Sequence, residues 1–188
     1  APRSGRIMLG TAEASPRTLR RRVGLMAQTV RAMAGLTVRE QVAYCGWLMG
    51  LSTREAVARA DKMIADVDLA DKADDRASRI SGGQLRRVGL AQVLIGQPEV
   101  LLLDEPTAGL DPAQRMRFRE VLERIPDNRV TVVSTHQVDD LTDGYDRVIV
   151  LSAGRIVFDG SPEEFLDLAP EDAPHRAEAA YLSLMVDE

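Results

Sequence analysis

Val100-Leu101-Leu102-Leu103-Asp104-Glu105-Pro106 is the stretch from which the fold is read. Its four leading residues are apolar without alternation, which predicts a strand covered on both faces and hence a doubly wound, mostly parallel α/β sheet. Two adjacent carboxylates follow at the strand's end. Ligands of open α/β sheets bind at the C-terminal ends of strands, so Asp104 and Glu105 stand where chemistry is expected. A hard oxygen donor suits Mg²⁺ at Asp104, directly or through water, and Glu105 is a suitable group to polarise an attacking water. Acids that only cap the next helix would give the same pattern.

Working outward, short β-branched or leucine-rich runs predict strands at Arg6 to Leu9, Val23 to Met26, Val130 to Ser134, Arg147 to Leu151 and Arg155 to Phe158. Thr37 with Glu40, Ser52 with Glu55, Asp111 with Gln114 and Ser161 with Glu164 are helix starts, in which a side-chain oxygen and the residue three on satisfy orphan amides. Pro112 and Pro162 fall at the first helical position, where proline is best tolerated. Helices follow one another from Thr37 to about Leu94, so a helical subdomain over 31–94 is expected to interrupt an α/β lobe. Gly154 predicts a hairpin return at the sheet's edge. Ala177, Ala180, Tyr181 and Leu184 recur at helical spacing. The expected division is one domain over 1–168 and a C-terminal, helical extension over 169–188.

Composition narrows the class. The chain has 188 residues, 45% hydrophobic and 28% charged, enough to bury one globular core. A formal net charge of −5 argues against a nucleic-acid partner, and the run Arg20 to Arg22 is too short to reverse that. Cys45 is the single cysteine, which points to a reducing compartment and a core-filling role. No signal peptide is evident, and the apolar runs are too short to span a bilayer. Lysine occurs only at Lys62 and Lys72, and the chain opens on Ala1 rather than methionine.

Ser81-Gly82-Gly83-Gln84 opens an apolar-periodic helix expected over Leu85 to Ile95. Serine followed three residues later by glutamine is itself a capping box. Two glycines in a first turn, however, each cost up to roughly 1 kcal/mol relative to alanine, which a plain cap does not require. Bare amides and a serine hydroxyl at a helix N-terminus form an anion site, suited to a nucleotide phosphate. His136 follows the strand ending at Ser134, where it can donate to a phosphate; as a lone histidine it is equally a surface residue. Asp111, in Gly109-Leu110-Asp111-Pro112, reads as an N-cap, and Gln28 alone is unremarkable.

Together, in order and spacing, Gln28, Ser81 to Gln84, Leu101 to Glu105, Gly109 to Asp111 and His136 resemble the ATP-binding cassette family. That family's glutamine loop, signature motif, Walker B strand, D-loop and switch histidine come in this sequence. The resemblance covers about Gly5 to Leu168, and SGGQLRR with LLLDEPTAGLDP carries it most specifically. It implies a P-loop NTPase-like, RecA-like fold, with ATP and Mg²⁺ as ligands. Glu105 and His136 would be catalytic; Gln28, Ser81, Gly82, Gly83, Gln84 and Asp111 would contact nucleotide; Asp104 and Gln28 would serve the metal. It also implies a head-to-tail dimer with a second nucleotide-binding domain, whose ATP Ser81 to Gln84 would close upon. A separate transmembrane permease subunit would dock near the helical block, with the chain peripheral at the cytoplasmic face of the cell membrane. Tyr44, Trp47, Leu48 and Met49 are a candidate edge of that dock, or simply a buried helix face.

One departure stands out. The family's phosphate loop, Gly-x-x-x-x-Gly-Lys-Ser/Thr, should precede Gln28, yet no lysine precedes Lys62 and neither lysine follows a glycine. The chain is therefore expected to be a fragment without the Walker A strand, loop and helix, inactive alone and with unpaired edges and exposed apolar faces. Within the family, Arg79 to Gly160, with Ser134, Thr135, His136, Asp139 and Asp140, resembles exporters whose membrane part is a separate subunit. Two other classes stay open: a soluble ATPase of translation or DNA maintenance, and a non-hydrolysing module lending its signature residues to a partner. The roughly fifty residues between Gln28 and Ser81 are too few for a long coiled coil.

Overall fold

Strand β4 (Val100–Asp104) runs between β3 (Val23–Met26) and β5 (Val130–Ser134), parallel to both, in the computed structural model, which describes residues 4–126, 129–138 and 144–185. Register sets Met26 opposite Leu103 and Asp104 opposite Ser134. Met26, Leu101 and Leu103 share one core with Val88, Leu90 and Leu94 of helix α4 (Gly82–Leu94) and with Phe118 and Val121 of α5 (Pro112–Glu123). The opposite face differs from expectation. Leu25 is 62% exposed, Val130 61% and Val132 49%, so the unbroken apolar run does not mark a strand covered on both faces. Both helices pack against the same side, and along the rows Val23-Val100-Val130 and Leu25-Leu102-Val132 no residue is fully buried.

The helical block contains α2 (Val38–Leu48), α3 (Thr53–Asp66) and α4, with 3-10 turns at Ala70–Lys72 and Ala77–Arg79. Its three α-helices start on complete capping boxes at Thr37/Glu40, Ser52/Glu55 and Ser81/Gln84. Val38, Val42, Ala56, Ala60 and Ile64 are buried at the α2–α3 contact, as apolar stripes at helical spacing demand. The N-terminal strand is shorter than expected. Only β1 (Met8–Leu9) forms, and it turns at Gly10, φ +62°, to pair antiparallel with β2 (Ala12–Glu13), apart from the main sheet. Helix α1 (Pro16–Arg22), capped by Ser15, then leads into β3.

Packing divides the chain into Ala1–Ser134 and Thr135–Glu188. In the second unit β6 (Val148–Ser152) and β7 (Arg155–Gly160) form a hairpin through Ala153 and Gly154, at φ +47° and +78°. Among the described residues this hairpin is its own two-stranded sheet, not an edge of the parallel one. Val148 and Val150 share a core with Phe165 of α6 (Pro162–Leu166) and with Ala177 and Ala180 of α7 (Arg176–Met185). Asp139 and Asp140 lie outside the described residues. No helix among the described residues is long and apolar enough to cross a membrane.

Candidate functional site

The end of β4 is shaped by its neighbour. Ser134 Oγ donates to Asp104 Oδ1 at 2.7 Å, while the Glu105 amide donates to the Ser134 carbonyl at 3.0 Å and approaches its hydroxyl at 3.3 Å. The ladder thus continues one bond past Asp104 and stops. Glu105 then turns to φ +45°, the left-handed region that costs a non-glycine residue roughly 1 kcal/mol or more. Two tight turns follow, with the Ala108 amide bonded to the Glu105 carbonyl at 3.2 Å and the Leu110 amide to Thr107 at 3.1 Å. Gly109, at φ +75°, completes the path to Asp111, whose carboxylate accepts from the Gln114 amide at 2.9 Å. The cap expected of Asp111 is therefore formed.

At the start of α4, Ser81 Oγ accepts from the Gln84 amide at 3.2 Å and Gln84 Oε1 from the Ser81 amide at 2.8 Å. The capping box is complete, yet the two glycines have different physical reasons. A Cβ on Gly83 would lie 2.2 Å from Gln114 Oε1, so the Gln114 side chain of α5 occupies the space that glycine leaves. A Cβ on Gly82 would meet nothing within 4 Å. Packing in this chain does not explain that glycine, and Ser81 and Gly82 are exposed, so the helix N-terminus is open to an incoming anion.

Arg86, one turn further on, donates to the backbone carbonyl of Gln28 and, at 3.2 Å, to that of Ala108. The chain after β3, the helix α4 and the turn after Glu105 therefore meet within one unit. The Gln28 side chain is exposed. His136, also exposed, lies in the second unit, two residues beyond β5. Cys45 is half-buried and accepts from Gln92 Nε2 at 3.1 Å; burial pushes its thiol pKa up, as suits a core filler.

Three residues that hold this arrangement escaped the reading of the sequence. The sequence offers Ser134 as a strand end and as part of the run Ser134-Thr135-His136, whereas pairing opposite Asp104 gives it its role. Arg86 carried no signal beyond the run SGGQLRR. Gln41 had one: it interrupts the apolar stripe Val38, Val42 as a polar residue on the buried side, and it is fully buried.

As to magnesium, Asp104 is exposed and offers a hard oxygen donor beside Glu105. Among the described residues no group of three or more His, Cys, Asp or Glu side chains is arranged to hold an ion alone. That donor set fits Mg²⁺, which keeps water and phosphate ligands and uses one or two carboxylates, better than an all-protein cage. A hollow lined by Leu9, Arg22, Glu99, Val100, Arg129 and Val130 lies at the opposite, N-terminal end of the strands and takes no part.

A parallel sheet with paired carboxylates at its C-terminal end and a glycine-led helix packed beside them fits the P-loop NTPase-like α/β fold. The family model described as ABC transporter matches residues 1–108, and the chain belongs to that family. It is 37% identical to the energy-coupling factor transporter ATP-binding protein EcfA2 of Lacticaseibacillus paracasei, over 87% of this chain and 60% of that protein. It is 36% identical to the phosphonates import ATP-binding protein PhnC 2 of Haloarcula marismortui, over 93% of this chain and 70% of that protein. With the methionine import ATP-binding protein MetN of Bordetella pertussis it shares 39% identity, over 85% and 45%. The chain spans 60% of the length of the energy-coupling factor relative.

Proposed function

We propose that this chain is the catalytic and partner-facing part of the ATP-binding subunit of an ABC transporter, energising a separate membrane permease from the cytoplasmic face of the membrane. The observation that carries this reading is the end of β4: Asp104 is oriented by Ser134, and Glu105 is turned out of the strand beside it. Glu105 polarises the attacking water, and His136 donates to the γ-phosphate. Asp104 and Gln28 serve Mg²⁺, which when bound neutralises charge on the β- and γ-phosphates. Ser81, Gly82, Gly83 and Gln84 close on ATP held by a second nucleotide-binding domain arranged head to tail, with Asp111 at that junction. The open Gly82 end of α4 supports this assignment.

The relatives favour import over the export expected from Arg79 to Gly160, since two of the three are named for import. All three are named for transport, which disfavours a role in translation or DNA maintenance. No phosphate loop occurs in the 188 residues, so they hold the chemical groups without the principal grip on ATP.

The test is Mg²⁺-dependent ATP hydrolysis by the full-length protein assembled with its membrane subunit. Glu105→Gln should lower kcat by about 100-fold or more while MgATP binding persists. The 188-residue chain alone should show no turnover above its own Glu105→Gln control. Turnover by the isolated chain, or full activity of the substituted complex, overturns the reading. Persistent nucleotide binding without hydrolysis by the unsubstituted complex would favour the signature-lending module instead.

A further inference from the structure

Helix α4 does more than present Ser81 to Gln84: three attachments fasten the segment after Gln28 to one side of it. Arg86 donates to the Gln28 carbonyl. Gly89 lets Val30 settle directly on the helix backbone, since a Cβ there would lie 2.5 Å from Val30 Cγ2. Gln92 Oε1 accepts from Gln41 Nε2 at 3.3 Å, and Gln41 in turn accepts from the Met33 amide at 2.8 Å and donates to the Arg31 carbonyl at 3.1 Å. Positions 86, 89 and 92 step by three residues and so share one side of the helix. Residues 28–33 run along that side.

Arg86 alone among these also reaches the turn after Glu105, through the Ala108 carbonyl. It is half-buried, and burial pulls its pKa below the usual arginine value. Among the described residues no carboxylate pairs with it in compensation. A desolvated guanidinium held only by two backbone carbonyls from different loops is a weak source of stability and a strong geometric constraint, because its planar fork fixes both acceptors at once.

We propose that Arg86 is a positioning residue that ties the Gln28 segment and the Glu105–Asp111 turn to α4, so that any shift of this helix moves both loops together. Within the ATPase reading above, on which this inference rests, the helix that meets the partner's nucleotide would thereby align the metal-sensing glutamine and the water-activating turn in one motion. The hydrogen bonds of Arg86 itself go to the backbone carbonyls of Gln28 and Ala108.

The experiment is hydrogen exchange with steady-state kinetics on the full-length protein in its complex. Arg86→Ala should raise exchange in both 28–33 and 105–110, by about tenfold or more. It should lower kcat by about 10- to 100-fold, as loss of alignment does, with KM for MgATP within about twofold and the unfolding midpoint unchanged. Gly89→Ala, which lifts Val30 without touching Arg86, should loosen 28–33 and leave 105–110 protected. If Arg86→Ala lowers the midpoint, Arg86→Lys, which keeps the charge but not the fork, is judged by the same paired exchange. Exchange rising in only one loop, or in neither, overturns the linkage, as does unchanged kcat. Absence of hydrolysis in the unsubstituted complex would sink the ATPase reading, while the paired exchange response would still decide the linkage.

Discussion

Glu105 leaves β4 with φ +45°, a backbone conformation from which its Cβ is repelled by the following carbonyl. Hydrogen bonds from its amide to Ser134 help hold it there. Strain of this kind has a measurable signature in which the usual order of alanine and glycine reverses. Glu105→Ala and Glu105→Gly lose the same carboxylate, but glycine adopts the left-handed region freely, so Glu105→Gly should be the more stable by about 1 kcal/mol in urea unfolding. Alanine proving more stable, as it is in ordinary backbone, would refute the strain. The carboxylates themselves were legible in the sequence because a short apolar run that ends in two acids and a proline fits a strand delivering them to an edge. Ser134 was not legible, because its partner is thirty residues away and is assigned by strand register, which a one-dimensional pattern does not contain. Asp111 and Ser81 were ambiguous for a sound reason: their caps exist, and capping excludes no further contact by the same residues.

Among the elements, helix starts were the most legible feature, since a capping box is local chemistry complete within four residues. The expected strand from Arg6 failed at the same scale. Gly10 turns the chain after Met8–Leu9, and nothing in the apolar character of Ile7 to Leu9 announces a two-residue hairpin. How the helical block is fastened to α5 was also invisible. Asp68, at φ +55°, receives Arg124 Nη1 and Nη2 at 3.1 and 2.5 Å and Arg117 Nη2 at 3.0 Å, while Arg87 donates to its carbonyl at 2.9 Å. The bonds from Arg124 first, then the nearby arginine charges, hold the Asp68 carboxyl below its ordinary pKa. A depressed carboxylate stabilises the fold at all pH above its unfolded value and loses that contribution as pH falls through the folded one. Asp68→Asn tolerates the same backbone and removes only the charge. Because both arginines are half-exposed, it should cost only about 1 kcal/mol, steady above about pH 4, and the difference from the unsubstituted protein should vanish in more acidic solution. A difference that instead persists undiminished at pH 2 to 3 would mean that the ion pairs are not its cause.

At the scale of the whole molecule, the apolar run of β4 marks a strand of a parallel sheet, as expected, but not one covered on both faces. The run shows what the sequence is built to bury, whereas coverage depends on what packs against it. Leu25, Val130 and Val132 remain exposed on a face whose two rows Val23-Val100-Val130 and Leu25-Leu102-Val132 are wholly apolar, with a charge only at its C-terminal edge, where Asp104 pairs with Ser134. One carboxylate at the edge does little to protect such apolar rows. The 188 residues expressed by themselves should accordingly bind a hydrophobic dye and self-associate at micromolar concentration, as seen by sedimentation velocity. Leu25→Thr with Val132→Thr keeps strand-compatible side chains at both positions while removing apolar surface. Since neither residue is buried in this chain, the pair should abolish most dye binding and shift the equilibrium to monomer, with unfolding free energy changed by no more than about 0.5 kcal/mol per site. If the pair instead destabilises the chain by several kcal/mol and leaves dye binding unchanged, the face is covered in solution and the exposed sheet is not the source of association.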